Sequence, residues 1–365
     1  MAQVVLDARI TRQMSVGMIA YVRELVARLP RVAPDLSFVV VSNDALAVPG
    51  PATHVEISAG MALNGSLGEQ VGLARVLRTR AGKHSLTHLM SVYAPRFSPR
   101  PYVYTIHDLI HRRFPEYFKW KVRPYYATVV GPVARGAAAV ITDAHATIPD
   151  LERYLQVPER STRVVPLGVS ERFFLSEEQR LQRGEQARER FGLRTPYVLY
   201  AGNHREHKNL ETLAAAWHGL NSPCDLVVTE STPFAFDVDR YAKSTSRMVR
   251  TGHVSDDELI ALYAGCAATV QPSLYEGFGL SVLEGMATGA PVIVAQTPAL
   301  LEVAGDAALT FPPLDRAALT QTLALVLAGG PDIERLRARG RERVLSFSWD
   351  ATATRTAEIY REWLS

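Results

Sequence analysis

The chain has few cysteines, no long apolar run and little net charge, and each absence excludes a class of protein. Its 365 residues include two cysteines, Cys224 and Cys266, which cannot form a disulfide framework and lack the CxxC or Cys/His spacing of a zinc site. No stretch reaches the 18 uninterrupted apolar residues of a membrane-spanning helix, and the start, MAQVVLDAR, lacks the apolar run of a signal peptide. We therefore expect a cytoplasmic protein that does not span a membrane.

The balance of charge argues against nucleic acid as a partner. Lys and Arg number 40 and Asp and Glu 37, a net charge of +3, whereas binding to a phosphate backbone needs an extensive basic surface. The hydrophobic fraction of 47% and the charged fraction of 21% are typical of a globular protein. Because one hydrophobic core rarely organises 365 residues, we predict two domains.

Short β-branched runs alternate with helical or loop segments, a pattern that predicts parallel sheets covered by helices. The predicted strands are 4–8, 38–42, 102–108, 138–143 and 163–168 in a first series, and 197–203, 225–230, 248–252, 267–273, 291–296 and 308–311 in a second. Between the series, the charge-dense segment 176–196 is interpreted as a connector with a solvated helix. The prediction is an α/β protein of two doubly wound domains, with ligands bound in a cleft at the carboxyl ends of the strands.

The strongest local signal is the segment YEGFGLSVLEGMATG, which follows a predicted strand. Gly277 and Gly279 allow the backbone to approach a ligand closely, and the helix that they open presents its positive end to a phosphate. Glu276 precedes the turn, Glu284 lies eight residues later inside the helix, and Gly289 is placed to end the helix. The alternative is a plain turn with solvated glutamates.

The longer run PSLYEGFGLSVLEGMATGAPVI resembles the donor-binding signature of the family 4 retaining glycosyltransferases of the GT-B fold, whose two glutamates are spaced Glu-x7-Glu. Further matches are YTIHDLIHRRFPEYF, RVVPLGV, YVLYAGNHREHKNL, GHVSDDELIALYAGC and FSWDATATRTAEIY. The resemblance implies two Rossmann-like domains that face each other across a cleft. Residues 1–175, joined by a C-terminal helix at 348–365, would form the acceptor side, and residues 176–347 would bind a nucleotide-sugar donor.

The resemblance also implies a set of site residues. His107 would contact the transferred sugar and support its developing positive charge, Lys208 would place its ammonium on the pyrophosphate, and Glu276 would hold the sugar; these three are the implied catalytic residues. The implied donor-binding residues are Gly17, Asn203, Lys208, Glu276, Phe278, Gly279, Leu280 and Glu284, the last on the ribose. Auxiliary positions are Asp108, Arg205, His207 and Ser273.

Two departures from the family pattern remove basic residues from the phosphate site. Asn203 stands where many relatives have arginine, and Ile19 and Ala20 replace the second glycine and the arginine of an N-terminal GxGRY loop. A metal is not expected, since the HREHK segment lacks HExxH spacing and no nucleotide-facing DxD motif occurs. The expected co-substrate is a nucleotide-diphosphate sugar, with no cofactor and no metal required.

The function implied by the resemblance is hexose transfer with retention of anomeric configuration, to a glycan or lipid-linked saccharide in polysaccharide biosynthesis. GDP-mannose is the favoured donor. The alternatives are a UDP- or dTDP-sugar such as a rhamnose donor, or a non-catalytic carbohydrate-binding protein of the same fold. A dinucleotide-dependent dehydrogenase is disfavoured, because no predicted strand is followed by GxGxxG and an acid about 20 residues later.

The segment 96–135 carries a local concentration of positive charge. Eight basic residues oppose Asp108 and Glu116, a net +6, and aromatic residues are interleaved with them. Such a segment is typical of a surface that rests on anionic lipid, which predicts peripheral contact with the inner face of a membrane. The alternative is that the aromatic rings belong to the core and the charges are merely solvated.

Overall fold

The computed structural model describes residues 1–10, 14–43, 52–62, 65–193, 196–229, 234, 236–241 and 246–364. Its contacts divide the chain into two compact units, Met1–Gly168 with Ser348–Ser365, and Val169–Phe347. The chain therefore first leaves the first unit after Gly168, seven residues before the predicted boundary at 175. Three sets of predicted positions lie outside the described residues. They are 12–13 in the N-terminal loop, 194–195 in the predicted connector, and 230 in the predicted strand 225–230.

The first unit contains a parallel sheet in which seven strands are found among its described residues, in the order β3-β2-β1-β4-β5-β6-β7. The strands are β1 Ala2–Asp7, β2 Leu36–Ser42, β3 Thr53–Glu56, β4 Ser85–Leu89, β5 Tyr102–Thr105, β6 Ala139–Thr142 and β7 Thr162–Val164. The sequence-based prediction missed β3 and β4. The edge strand β3 is largely exposed, and the buried β4 includes three polar residues, so neither strand shows an apolar run.

Helices cover this sheet. They are α1 Val16–Val32, α2 Ala74–Arg80, α3 Ile110–Arg113, α4 Val122–Tyr125, α5 Gly131–Gly136 and α6 Ile148–Asp150, with short 3-10 or π segments at Ala59–Ala62, Gly68–Leu73, Pro115–Tyr117, Tyr126–Val130, His145–Thr147, Leu151–Leu155 and Glu159–Ser161. The hydroxyl of Ser15 caps α1 by accepting a hydrogen bond from the amide of Met18. The buried face of α1 repeats every three or four residues and includes Tyr21, Leu25 and Leu29, so the helix packs against the sheet.

The second unit contains a second parallel sheet, with six strands among its described residues in the order β10-β9-β8-β11-β12-β13. The strands are β8 Tyr197–Tyr200, β9 Asp225–Thr229, β10 Met248–Gly252, β11 Ala268–Gln271, β12 Val292–Ala295 and β13 Leu309–Phe311. The helices are α7 Glu177–Phe191, α8 Leu210–His218, α9 Asp256–Gly265, α10 Leu280–Thr288, α11 Pro298–Ala304, α12 Arg316–Ala328 and α13 Pro331–Val344, with 3-10 segments at Glu171–Phe173, Glu206–Lys208 and Asp239–Tyr241.

Both sheets confirm the predicted α/β class. In each unit the strand order reverses once beside the first strand, between β1 and β4 and between β8 and β11, as in a doubly wound Rossmann-like sheet. The loops that leave the two neighbouring strands diverge at that point. A crevice for a ligand is therefore expected at the carboxyl ends of β8 and β11.

The segment 176–196, interpreted as a connector with a solvated helix, contains the helix α7, and one side of this helix packs within the second unit. A capping box joins Ser176 and Gln179 at its start. Its buried side includes Gly184, where an added Cβ would lie 2.8 Å from the Cα of Gly265 in α9. Two glycines thus let α7 and α9 approach closely, while the charges that dominate the sequence occupy the exposed side.

The helix α14, Trp349–Leu364, returns to the first unit. The hydroxyl of Thr352 donates to the carbonyl of Pro166 at 2.8 Å, and the hydroxyl of Tyr360 lies 2.6 Å from Nδ1 of His88 in β4. The first unit is therefore built from two separate stretches of chain. Among the described residues, no helix combines the length and the apolar character needed to cross a bilayer.

We expect the Gly184→Leu substitution to lower the free energy of unfolding by about 1–3 kcal/mol, because the new side chain would be forced against the backbone of α9. Calorimetric unfolding of the wild type and the variant measures the difference. The matched control is Glu185→Leu, which adds the same side chain at an exposed position of α7. Equal loss of stability in the two variants would contradict the close approach of α7 and α9.

Candidate functional site

Two loops meet at the reversal of strand order in the second unit. The loop after β8 contains the 3-10 turn Glu206–Lys208, and the loop after β11 contains Ser273 and Glu276. The amide of Leu274 donates to the carbonyl of His207 at 2.8 Å, so the backbones of the two loops are joined. The strand order alone thus brings together residues that are more than sixty positions apart.

Asn209 fixes the geometry of the first loop. Its backbone has φ of 55°, a left-handed conformation that asparagine tolerates better than most residues. Its side-chain amide donates to the carbonyl of Pro272 at 2.9 Å and to that of Pro313 at 2.6 Å, and its side-chain oxygen accepts from Thr212 at 2.7 Å. The sequence analysis missed this residue, although asparagine just before a helix is a known capping signal.

Lys208 and Glu276, both predicted site residues, form an ion pair in which Nζ lies 2.7 and 2.8 Å from the two carboxylate oxygens. Oε1 of Glu276 also accepts from the hydroxyl of Ser273 at 2.7 Å and from the side-chain amide of Gln271 at 3.2 Å. The structure thereby joins three predicted residues and adds Gln271, which sequence reasoning missed. Four hydrogen bonds fix the carboxylate beside the start of α10.

Helix α10 begins at Leu280 with Gly279 as its N-cap. Gly279 has φ of 123°, which disfavours any other residue there, and no side chain caps the helix start. Phe278, the residue before the cap, is buried. The first amides of α10 form a positively polarised end of the kind that binds phosphate. At the other end Gly289, with φ of 79°, caps the helix, so that prediction is confirmed.

Glu284 lies in the second turn of α10. Its carboxylate accepts a hydrogen bond of 3.0 Å from the hydroxyl of Tyr263 in α9, a partner that sequence reasoning missed. Burial raises the pKa of Glu284 to about 7, and the hydrogen bond from Tyr263 offsets only part of this increase. The group therefore changes charge near neutral pH.

The other predicted residues of the β8 loop shape the loop or face solvent. The carbonyl of Asn203 accepts from the hydroxyl of Tyr200 at 2.5 Å, and its side chain accepts from the amide of Arg205 at 3.4 Å. The side chain of Arg205 is exposed, whereas His207 is buried inside the loop. His204, between Asn203 and Arg205, stacks on Phe234 with ring centroids 4.5 Å apart.

In the first unit, the strand register places His107 beside a residue that the sequence analysis missed. Strands β5 and β6 are parallel with Thr105 opposite Ile141, so His107 and Asp143 each lie two residues beyond a paired position. Nδ1 of His107 is 2.8 Å from Oδ2 of Asp143, and both side chains are buried. The available signal was that both residues stand at the carboxyl ends of predicted strands, 102–108 and 138–143.

The remaining predicted residues of the first unit are Gly17 and Asp108. Gly17 lies in the first turn of α1, one turn before Tyr21, whose ring meets that of His107 edge-on with centroids 4.6 Å apart. Gly17 therefore lies one helical turn from the ring that packs against His107. The carboxylate of Asp108 accepts from the amide of Ile110 at 3.0 Å and so helps to start α3.

The segment 96–135 separates into core and surface residues. Tyr126 is buried, which agrees with the core alternative for that ring. Phe97 and Trp120 are 67% and 74% exposed, and the Lys121 ammonium lies 5.8 Å from the centroid of the Trp120 ring. Among the described residues, no three His, Cys, Asp or Glu side chains are grouped so that they could hold one metal ion.

Two family models match the chain. The model described as "Glycosyl transferases group 1" matches residues 182–343, and that described as "Glycosyltransferase Family 4" matches residues 17–173. Among curated proteins, the MMP alpha-(1->4)-mannosyltransferase of Mycolicibacterium hassiacum is 30% identical over 315 residues, covering 79% of this chain and 73% of that protein. The O-antigen chain mannosyltransferase B of Escherichia coli is 32% identical over 173 residues, 45% of each chain.

Solved structures show the same fold at lower identity. Sucrose-phosphate synthase from Thermosynechococcus elongatus gives a TM-score of 0.74 at 20% identity over 99% of both chains. The Anabaena protein HepE in complex with UDP and glucose gives a TM-score of 0.75 at 17% identity, covering 98% of this chain and 99% of that one.

We expect the Glu284→Gln variant to be more stable than the wild type at pH 8 and to lose this advantage as the pH falls towards 4.5. The carboxyl group has a higher pKa in the folded chain than when unfolded, so its contribution to stability is greatest at low pH and disappears as the pH rises through about 7. The difference between the two proteins should change by about 2–3 kcal/mol over this range.

Denaturant unfolding of both proteins at a series of pH values measures this change. Glu342→Gln, the same substitution at an exposed glutamate, provides the baseline for loss of one charge. If the stability difference between Glu284→Gln and the wild type does not change with pH, folding does not raise the pKa of Glu284.

Proposed function

The chain belongs to the family 4 glycosyltransferases of the GT-B fold, and from this premise we propose that it transfers a hexose from a nucleotide-diphosphate sugar with retention of anomeric configuration. The proposed acceptor is a glycan or a lipid-linked saccharide. The observation that carries the proposal is the arrangement in the second unit, where Lys208 and Glu276 are paired beside the uncapped start of α10.

The pyrophosphate, the ribose and the sugar of a nucleotide-diphosphate sugar each have a chemically suitable partner in this chain. The amides at the start of α10 and the Lys208 ammonium supply the positive charge that a pyrophosphate requires, and they would stabilise it as the leaving group departs. Glu284 provides a carboxylate for the ribose hydroxyls, and Glu276 provides one for the sugar. In the first unit, His107 would contact the transferred sugar.

The positive groups of the donor site come from the chain itself, which supports a reaction without a metal. Asn203, which stands where relatives have arginine, brings no charge, so Lys208 carries more of this task than in those relatives. Retention through front-side attack, in which the leaving diphosphate helps to deprotonate the acceptor hydroxyl, follows from the family resemblance.

GDP-mannose is the proposed donor because several relatives are named mannosyltransferases, including those of M. hassiacum and E. coli. UDP- and dTDP-sugars are the alternatives, since HepE, which shares the fold, was solved with UDP. The relatives favour mannose, but no described contact of this chain selects a base.

A donor panel tests the proposed function. GDP-mannose, UDP-glucose and dTDP-rhamnose are compared by thermal shift and by nucleotide release, with and without EDTA. We expect GDP-mannose to stabilise the wild type, by about 2.7 kcal/mol at a concentration 100 times its Kd. Nucleotide release should be unaffected by EDTA and reduced at least tenfold in Glu276→Ala, whereas Glu342→Ala, an exposed control, should behave as the wild type.

Two results would overturn the proposal. If no donor stabilises the wild type, the assignment of the donor site is wrong. If NMR of the product shows an inverted anomeric centre, the retaining mechanism is wrong even though the protein transfers sugar.

We also propose that the first unit rests on an anionic membrane surface at the inner face of the membrane, where a lipid-linked acceptor would be found. Trp120 is exposed between Lys119 and Lys121, which are exposed as well. An aromatic ring flanked by ammonium groups suits the interface between lipid headgroups and acyl chains.

A second segment of the first unit exposes apolar side chains. Val71, within Gly68–Leu73, and Leu67, just before it, are 65% and 84% exposed. On the buried side of this segment, the carboxylate of Glu69 accepts a hydrogen bond of 3.1 Å from the guanidinium of Arg9. The side chain of Gln70 accepts from the amide of Arg96 at 2.9 Å, which places this segment next to the loop that carries Phe97.

Co-sedimentation with liposomes tests the membrane proposal. We expect the wild type to bind vesicles containing phosphatidylglycerol, to release them as salt is raised, and to ignore neutral phosphatidylcholine vesicles. The triple substitution Lys119→Ala, Trp120→Ala, Lys121→Ala should weaken binding at least tenfold. Trp363→Ala, which removes a 43% exposed tryptophan from α14, should bind as the wild type. Equal binding to both kinds of vesicle would overturn the proposal.

A further inference from the structure

His107 and Asp143 form a buried pair at the carboxyl ends of β5 and β6. The exposed fractions of the two residues are 7% and 2%, and Nδ1 of His107 lies 2.8 Å from Oδ2 of Asp143. An ionised carboxylate can only accept hydrogen bonds, so this contact requires a proton on Nδ1 whenever Asp143 is charged. The neutral ring then carries its lone pair on Nε2.

We propose that Asp143 is a positioning residue for the transfer reaction: it fixes the orientation and tautomer of His107 so that Nε2 accepts a hydrogen bond from a hydroxyl of the transferred sugar. The inference rests on the proposed function for the identity of the ligand. The pairing itself is independent of that function, because it depends only on the geometry of the first unit.

The second nitrogen of the ring supports this assignment. Nε2 of His107 and Oδ1 of Asp143 are both buried and have no hydrogen-bond partner among the described residues, so Nε2 is the unsatisfied atom of the ring. An unpaired nitrogen at such a depth is costly in a folded protein unless a ligand or water satisfies it. The unsatisfied atom is therefore the one that Asp143 leaves as an acceptor.

A second buried ring packs against His107 and is itself held in place by hydrogen bonds. The ring of Tyr21, which is fully buried, meets that of His107 edge-on at an interplanar angle of 83°. The hydroxyl of Tyr21 is held 2.9 Å from that of Thr105, which in turn lies 2.8 Å from Nε2 of His88. These hydrogen bonds continue to Tyr360 of α14, so the surface against His107 is anchored in four elements of the unit.

The charge of Asp143 has an effect that an uncharged side chain of the same shape would lack. Burial lowers the pKa of His107, but the carboxylate of Asp143, with smaller contributions from Asp108 and from the backbone of Met90, more than offsets burial and raises it. His88, the other imidazole in this region, has its pKa lowered by burial to about 3 and stays neutral. Burial also raises the pKa of Asp143, and His107 offsets only part of this increase. When Asp143 is ionised, the pair places negative charge behind His107, which favours a positive charge developing on the side of Nε2.

The variant Asp143→Asn removes the charge of the side chain and keeps its shape. Asp150→Asn is the control, since Asp150 is a buried carboxylate of α6 that accepts a hydrogen bond from Arg113 at 3.4 Å. NMR of protein labelled with 15N-histidine, assigned with His107→Gln, reports the tautomer and the pKa of His107. We expect protonated Nδ1 in the neutral wild type, and in Asp143→Asn a pKa below the ordinary value of 6.5, because the largest contribution that opposes burial has been removed.

Hydrolysis of GDP-mannose without acceptor gives the second measurement. We expect kcat to fall by about 10²-fold or more in Asp143→Asn, with KM changed less than about threefold, as for loss of a group that orients a catalytic histidine. Asp150→Asn should keep the wild-type kcat and the wild-type pKa of His107.

Several outcomes would overturn the proposal. They are an Nε2–H tautomer in the wild type, an unchanged pKa of His107 in Asp143→Asn, and an equal loss of kcat in Asp143→Asn and Asp150→Asn. The wild-type tautomer decides the matter even if Asp143→Asn does not fold. If the wild type hydrolyses no donor while the pKa of His107 still depends on Asp143, the proposed function has failed and the pairing has not.

Discussion

Parallel pairing of strands is the constraint on which the candidate sites depend. A parallel strand can be followed by another only after a crossover, so the carboxyl ends of all strands collect at one edge and the loops there lie side by side. In the second unit this edge gathers Lys208, Glu276 and the start of α10. In the first it gathers His107 and Asp143. Residues distant in sequence become neighbours without any long loop.

Pairing of buried and half-buried polar groups is the second shared feature of these edges. Lys208 is paired with Glu276, the carboxylate of Glu284 accepts from Tyr263, and His107 is bonded to Asp143. A buried charge without a partner would destabilise the fold, so each group is held in a defined orientation before a ligand arrives. The cost of arranging the site is thereby met during folding, which reduces the reorganisation needed for binding.

Much of the second unit could be predicted from the sequence, and less of the first. The spacing of Glu276 and Glu284 around Gly279 is a local pattern, and the six strands of this sheet contain recognisable apolar runs. Asp143 was missed because an acid after a strand resembles any turn residue, and its link to His107, 36 positions away, depends on register. Strand β4 escaped prediction because Ser85, Thr87 and His88 interrupt its apolar residues, and the hydrogen bonds that allow His88 to be buried come from distant Tyr360 and Thr105. Composition likewise could not separate the exposed Trp120 from the buried Tyr126, because exposure depends on packing.

The return of α14 to the first unit has a consequence for biosynthesis. The 179 residues of Val169–Phe347 form an insertion between the two stretches of chain that make up that unit. On the ribosome the sheet of the first unit can assemble early, but His88 lacks its partner Tyr360 until the whole insertion has been translated. Since domains tend to fold in the order of their synthesis, the second unit can be complete while the first still awaits its last helix. The order of completion is then the reverse of the order in which the two units begin.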